Sequence, residues 1–129
     1  MTAKPQRPTD AELEILTVLW SRGPSTVRDV YETLRKRRKS AQYSTVLKFM
    51  QIMAQKGLVH RDDTERAHVY EPSQSREWTQ QQLAGDLLQR GFEWSMKNLM
   101  IGALSARKAS KEELEELRKL LDEYEKGKR

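Results

Sequence analysis

The sequence predicts a mainly α-helical protein in which three helices precede a short β-hairpin and a helical region follows it. Apolar residues recur at helical spacing before residue 57 and again after Pro72. Between these stretches, two β-prone segments flank a polar run at residues 62–66, a pattern typical of a hairpin. We therefore predict two regions, residues 1–72 with the hairpin and residues 73–129 with helices only.

The first helix follows a polar arm, residues 1–8, and begins at a capping box. Thr9 and Glu12 have the Ser/Thr-x-x-Glu spacing that satisfies two free N–H groups at a helix start. The helix should run to about Ser21 and end at Gly23-Pro24, with Ile15 at the margin of its apolar face. The residues expected to face inward are Leu13, Leu16, Leu19 and Trp20.

The second helix begins at Thr26 and Asp29, a variant of the same capping box, after a short extended piece at residues 25–26. Its apolar residues follow the i, i+3, i+4, i+7 rule: Val27, Val30, Tyr31 and Leu34. Residues 35–39, RKRRK, end the helix. This basic run suits a DNA backbone contact, and it equally suits a solvated helix end, where the macrodipole favours cations.

The third helix has two distinct faces. Val46, Met50 and Met53 form the apolar stripe, whereas Lys48 and Gln51 begin a polar face that continues to Gln55. Gly57 follows at the position that favours a left-handed residue. At the helix start, we expect one of the hydroxyl residues Ser44 and Thr45 to cap the helix and the other to be free for a ligand.

A helix with a Lys/Gln face followed at once by a hairpin indicates a winged helix, because that fold places a recognition helix in the major groove and its wing on phosphates. Tyr43, Ser44, Thr45, Lys48 and Gln51 would face the groove, and Arg61 and Arg66 would serve the wing. Gln pairs bidentately with adenine, and a Thr methyl contacts the thymine methyl. His60 and His68 could face each other across the hairpin, but two imidazoles are too few for a metal site.

The region after Pro72 carries more apolar residues than three helices of one chain can easily bury, which favours a dimer interface over an ordinary core. We predict a helix ending at Gly91, a second from Phe92 to Leu104, and a third that begins at a capping box, Ser110 to Glu113. The residues expected at the interface are Phe92, Trp94, Leu99, Leu114, Leu117 and Leu121.

Composition excludes several classes of protein. The 129 residues carry a net charge of +5. Residues 1–72 contain 13 Lys/Arg and 9 Asp/Glu, a net +4, so the positive charge lies with the predicted DNA-binding region. Cysteine is absent, so disulfides, thiolate metal sites and a cysteine nucleophile are excluded. The pattern predicts no cofactor site, no enzyme activity, no membrane insertion and a cytoplasmic location.

Several motifs together resemble the penicillinase-repressor (BlaI/MecI/CopY) family. They occur in the family's order across the first half, and the leucine-rich tail after Ser110 is similar to the family's dimerisation region. The motifs are Thr9-(x)3-Leu13, Leu16-(x)2-Leu19-Trp20, Gly23-Pro24, Val27-Arg28-(x)2-Tyr31, Tyr43-Ser44-Thr45-Val46, Lys56-Gly57-Leu58-Val59 and Arg66-Ala67-His68-Val69-Tyr70-Glu71-Pro72.

The resemblance implies a homodimeric winged-helix repressor that binds an inverted-repeat operator in double-stranded DNA. In family members that respond to β-lactams, a membrane-bound sensor protease triggers cleavage of the repressor at an Asn-Phe bond. Matching the tails places that position at Gly102-Ala103, so the Asn-Phe pair is replaced here. The segment that we expect to be most open to cutting is residues 103–109, between the second helix of this region and the cap at Ser110. The copper-responsive branch uses a cysteine-rich motif, which this chain lacks. A second hypothesis is a winged-helix module that contacts proteins rather than DNA.

Overall fold

The computed structural model describes residues 7–127 and confirms the predicted fold class, so the expected arm at residues 1–8 lies mostly outside the described part. Three helices come first, then an antiparallel hairpin, then three more helices. Their bounds are α1 (Asp10–Arg22), α2 (Val27–Arg37), α3 (Tyr43–Lys56), β1 (Val59–Asp62), β2 (Val69–Pro72), α4 (Arg76–Phe92), α5 (Met96–Ala106) and α6 (Lys111–Glu125).

The capping boxes predicted at the starts of α1 and α2 are both confirmed. The Thr9 hydroxyl accepts a hydrogen bond from the Glu12 backbone N–H at 3.2 Å, and the Glu12 carboxylate accepts one from the Thr9 N–H at 2.9 Å. Thr26 and Asp29 form the same reciprocal pair, each bond 3.1 Å long. The hydrogen bond from the Thr26 backbone N–H lowers the pKa of Asp29. The Thr26 side chain and the charge of Arg22 lower it further, whereas burial opposes them. Local chemistry thus fixes where α1 and α2 begin.

The hydrophobic core lies among α1, α2, α3 and the hairpin. Val30, Met50 and Met53 are completely buried. Ile15, expected at the margin of α1, is 2% exposed and lies inside the core, so that expectation was wrong. Val18 is buried beside it, and the inward face of α1 is therefore wider than the leucine pattern alone indicates.

The wing is a two-stranded antiparallel sheet in which Val59 pairs with Pro72 and Asp62 with Val69. The extended piece predicted after Pro24 is present, because Ser25 and Tyr70 exchange two backbone hydrogen bonds of 3.0 and 2.8 Å. His60 lies opposite Glu71, and His68 lies outside both strands. The expectation that the two histidines face each other was therefore wrong.

The start of α4 belongs to the first compact unit, which extends through Gln82. The Trp20 indole N–H donates to the Gln74 carbonyl at 3.1 Å, and the Arg76 guanidinium lies 5.9 Å from the Trp20 ring centroid. These contacts hold the chain after β2 against the end of α1. The functional division at Pro72 stays a prediction.

The second compact unit begins at Leu83. Two helix boundaries predicted for this part of the chain are wrong. Gly91 does not end α4, which continues to Phe92. The chain then turns through Glu93 and Trp94, at φ 48° and 65°, before Ser95 caps α5 by accepting from the Asn98 N–H. The helix predicted from Phe92 to Leu104 therefore begins later, because two left-handed residues separate α4 from α5.

The last helix begins as predicted at Ser110, whose hydroxyl accepts from the Glu113 N–H at 3.0 Å. The Glu113 carboxylate binds the Arg107 guanidinium with bonds of 2.9 and 2.8 Å rather than returning to the Ser110 backbone. Only half of the expected capping box is thus formed, and its carboxylate instead holds the connection between α5 and α6.

Candidate nucleic-acid interface

The outward face of α3 is polar and exposed. Val46, Met50 and Met53 are buried on one side of the helix. The side opposite them carries Ser44, Thr45, Lys48, Gln51 and Gln55, all of which are exposed. With 3.6 residues per turn, Ser44, Lys48, Gln51 and Gln55 recur one turn apart along a single stripe. This stripe presents two amide side chains, an ammonium group and one hydroxyl on the exposed side of α3.

The start of α3 differs from the prediction. Its N-cap is Gln42, which makes no capping hydrogen bond through its side chain. Ser44 and Thr45 lie inside the first turn, so neither caps the helix and the expectation that one of them would do so was wrong. The reason is that the helix begins at Tyr43, ahead of both hydroxyl residues. Both hydroxyls are exposed on the outward face.

Tyr43 is held at this helix start by two residues of α2. Its ring packs edge-on against Tyr31, with the ring centroids 5.7 Å apart. The Arg28 guanidinium lies 5.2 Å from the centroid of the Tyr43 ring. The helical spacing predicted Tyr31 to face the core and indicated no role for Arg28. Their i, i+3 spacing could have placed Arg28 and Tyr31 on one flank of α2, once the capping box at Thr26 showed where that helix begins.

The end of α3 is tied to the start of α1 by a buried ion pair. The Lys56 ammonium lies 2.9 Å from each carboxylate oxygen of Glu12, whose side chain is 2% exposed. Burial alone would raise the pKa of Glu12, but hydrogen bonds from Thr9 and Lys56 and the charge of Lys56 lower it overall. Glu12 therefore caps α1 and anchors α3 with the same carboxylate.

The two arginines of the wing differ in their partners. Arg61 forms a double contact with Asp63, with Nε–Oδ1 at 2.8 Å and Nη2–Oδ2 at 3.2 Å. Asp63 and Tyr70 raise the pKa of Arg61 through hydrogen bonds. Arg66 is exposed and has no hydrogen bond or ion pair within residues 7–127. The hairpin thus presents one neutralised and one available guanidinium.

The basic run at the end of α2 is also divided. Arg38 forms a 2.8 Å ion pair with Glu14 of α1. The other four members of the run are exposed and lack ion pairs in the described part of the chain: Arg35, Lys36, Arg37 and Lys39. These four side chains are accessible both to phosphates and to solvent.

The second unit exposes large apolar side chains. Trp94 is 63% and Leu121 64% exposed, whereas Phe92 and Leu99 are partly buried. Leu114 and Leu117 are also partly buried, on the same helix as Leu121. Within the described residues of this unit, α5 and α6 contain no buried residue. Large apolar side chains exposed at several positions of one unit favour an interaction site.

The bond matched to the cutting site of the family lies in a helix. Gly102 and Ala103 belong to α5, which continues to Ala106. The expectation that residues 103–109 form a connection is therefore wrong for its first half, and the connection consists of residues 107–110. The ring of Phe92 lies against Gly102, 3.6 Å from the position that a Cβ would take.

Residues 7–127 contain no group of three or more acidic or histidine side chains that could hold a metal ion. No helix in this described range is both long enough and apolar enough to span a membrane.

The three-helix core, the exposed α3 and the hairpin define a winged helix-turn-helix protein. The family model for the penicillinase repressor matches residues 8–123, so the chain belongs to the penicillinase-repressor family. The chain is 43% identical over 76 residues to the transcriptional regulator BlaI of two Mycobacterium tuberculosis strains. That match covers 58% of this chain, and the chain spans only 54% of the length of these relatives.

Two solved structures share the fold. One is a solution structure of the DNA-binding domain of the repressor BlaI, with a TM-score of 0.50 and 24% identity over 58% of this chain and 90% of that one. The other is Bacillus licheniformis BlaI in its monomeric form in complex with the blaP half-operator. It also has a TM-score of 0.50 and 24% identity, over 57% of this chain and 89% of that one. At this identity the likeness concerns the fold.

Proposed function

We propose that this chain is a homodimeric transcriptional repressor that binds an inverted-repeat operator in double-stranded DNA. The observation that carries the proposal is the exposed polar stripe of α3, which lies opposite the buried residues Val46, Met50 and Met53. In helix-turn-helix proteins, one side of the recognition helix packs on the core and the other side enters the major groove. Membership of a repressor family supports the same function.

Different side chains of the interface would do different work. Tyr43, Ser44, Thr45, Lys48 and Gln51 would contact the groove, because they occupy the first turns and the outward stripe of α3. Gln51 would read a base edge, since an amide can donate to and accept from adenine at once. Arg61 and Arg66 would anchor the wing on phosphates. Of the two, Arg66 is available, whereas Arg61 must first leave Asp63.

Replacing Gln51 and Arg66 separately tests this division. Gln51→Ala should relax preference at one base pair and cost about 1–3 kcal/mol on the operator only, because it removes a base contact. Arg66→Ala should weaken operator and random DNA alike and reduce the salt slope by about one, because it removes a phosphate contact. Fluorescence anisotropy with operator and random duplexes, repeated over a salt series, measures both effects.

Gln89→Ala is the matched control, since Gln89 is an exposed glutamine of α4 outside the proposed interface. It should leave both affinities unchanged. If Gln51→Ala and Arg66→Ala each weaken operator and random DNA in the same proportion, the assignment of α3 to base readout is incorrect.

We propose that release follows from loss of the dimer, by a cut that separates α6 from the DNA-binding region. A membrane-bound sensor protease is the proposed agent, as the family resemblance implies. The Gly102-Ala103 bond is helical, so a protease must unwind this part of α5 before the bond can enter an active site. The extended residues 107–110 offer an easier cut, because exposed connections are the preferred sites of nicking.

Limited digestion with trypsin tests the release proposal. We expect a cut after Arg107 or Lys108, identified by mass spectrometry, followed by a fall in operator affinity while binding to a single half-site persists. The Arg107→Gln/Lys108→Gln variant should resist the cut and keep its operator affinity under the same digestion. A nick within residues 107–110 that leaves operator affinity intact would refute release by loss of α6.

A further inference from the structure

Arg28 of α2 lies beside the first residue of α3. Its guanidinium carbon is 5.2 Å from the centroid of the Tyr43 ring, and Tyr31 supports that ring edge-on from the same helix. Arg28 and Tyr31 are three residues apart and therefore share one flank of α2. This geometry holds a cation next to the N-terminal end of α3, which is the end that enters the groove in helix-turn-helix proteins.

Glu32, the ion-pair partner of Arg28, holds the guanidinium only weakly. The Arg28 Nη1 atom lies 3.7 Å from Glu32 Oε2, and the two side chains are 64% and 59% exposed. Exposed pairs of this kind contribute little, because water screens them and ordering two long side chains is costly. A guanidinium has five N–H donors, and those of Arg28 make no hydrogen bond within residues 7–127. Arg28 can therefore still bind an oxyanion bidentately.

We infer that Arg28 is a phosphate contact that positions the N-terminal end of α3 on DNA, and that Glu32 competes with the phosphate for it. The inference rests on the proposed function and adds a residue of α2 to the interface of α3 and the wing. The phosphate replaces the Glu32 carboxylate at the guanidinium while the Tyr43 ring keeps the side chain in place. Glu32 then lies near a phosphate and opposes binding by like-charge repulsion.

Salt-dependent binding to a short mixed-sequence duplex tests the inference, because a phosphate contact does not depend on base sequence. Arg28→Gln should lower the slope of log K against log salt by about 0.9 and weaken all sequences by the same factor. Glu32→Gln should raise affinity by up to about fivefold, since it removes both the competitor and the repulsion. Fluorescence anisotropy measures both, and thermal unfolding checks that each variant stays folded.

Arg118 and Glu115 of α6 provide matched controls. They form an exposed pair of the same kind, with Nη1–Oε1 at 3.1 Å and side chains 68% and 73% exposed. Arg118→Gln and Glu115→Gln change the net charge by the same amounts as Arg28→Gln and Glu32→Gln, but on α6. They should therefore leave the salt slope and the affinity for DNA unchanged. An Arg28→Gln protein with the slope of the wild type overturns the inference, as does a Glu32→Gln protein that binds more weakly. A wild-type protein that binds no duplex overturns the proposed function itself.

Discussion

Leu121→Asp is expected to convert the protein to a monomer and to weaken binding to a two-half-site operator by about 10²–10⁴-fold. Leu121 is 64% exposed in the single chain, next to Leu120 at 60% and one turn from partly buried Leu117. In the proposed dimer this stripe would be covered by a second copy. A carboxylate placed there would be buried without a partner, which costs far more than a lost methyl group.

The loss of affinity should appear only on DNA that the two DNA-binding units of a dimer contact together. Linking two DNA-binding units raises the effective concentration of the second, so a monomer loses operator affinity while its affinity for one half-site stays unchanged. Analytical ultracentrifugation gives the oligomeric state, and anisotropy with operator and half-site duplexes gives the affinities. Leu117→Asp should behave in the same way, at a position on the same side of α6.

Leu121→Met is the matched control, because it keeps an apolar side chain of similar volume and should stay dimeric. A Leu121→Asp protein that remains a dimer with full operator affinity would show that the interface does not lie on α6. The exposed residues Trp94 and Met96, beside partly buried Phe92, would then be the next surface to test.

Lys56→Met is expected to lower the free energy of unfolding by about 3–5 kcal/mol, because it leaves the Glu12 carboxylate buried without its counter-ion. Glu12→Gln should cost less, since Lys56 is 22% exposed and its ammonium can turn to water. The double variant should be more stable than Lys56→Met alone, because it removes the unpaired charge. Urea unfolding near neutral pH measures all three.

The same pair predicts how stability depends on pH. The pKa of Glu12 is lowered from the ordinary value of 4.5, so its contribution is fully present above about pH 4.5 and is lost as pH falls through the lower folded-state pKa. The wild type should therefore lose stability below pH 4.5 more steeply than Glu12→Gln. Equal acid sensitivity of the two proteins, or a Lys56→Met protein as stable as the wild type, would show that the ion pair does not hold α3.

Local sequence signals predicted most of the elements correctly. Thr9 and Thr26 marked the helix starts because a capping box is complete within four residues. Gly57 marked the end of α3, where it adopts φ 82° and the Leu58 N–H donates back to the Met53 carbonyl. These signals succeed because the groups that interact are neighbours in the chain.

The errors and omissions involve partners that are distant in the chain or turns without a typical residue. Glu12 is buried because Lys56 reaches it from the end of α3, which no local pattern shows. Ile15 is buried because the core surrounds α1 more widely than a leucine stripe indicates. The turn at Glu93 and Trp94 adopts positive φ without glycine, so no residue type indicated a helix end there rather than at Gly91.

In the candidate site, too, local signals predicted correctly and contacts between distant elements were missed. The period of α3 predicted which of its side chains face outward, and Lys48 and Gln51 are exposed as that period requires. The contacts of Arg28 and Tyr31 with Tyr43 depend on how α2 crosses α3, which the spacing of neither helix determines. Sequence alone likewise could not separate Arg61 from Arg66, because only the folded hairpin brings Asp63 to the Arg61 guanidinium.

Protection of genomic DNA by the full chain tests the central claim most directly. DNA fragments selected by the purified protein should share an inverted repeat, and a footprint should cover both half-sites. Affinity for that site should fall by about 10³ between 50 and 200 mM salt if some six phosphates are contacted. Selection that yields no common sequence, with no protected repeat and no steep salt dependence, would contradict the account and favour a winged-helix module that binds another protein.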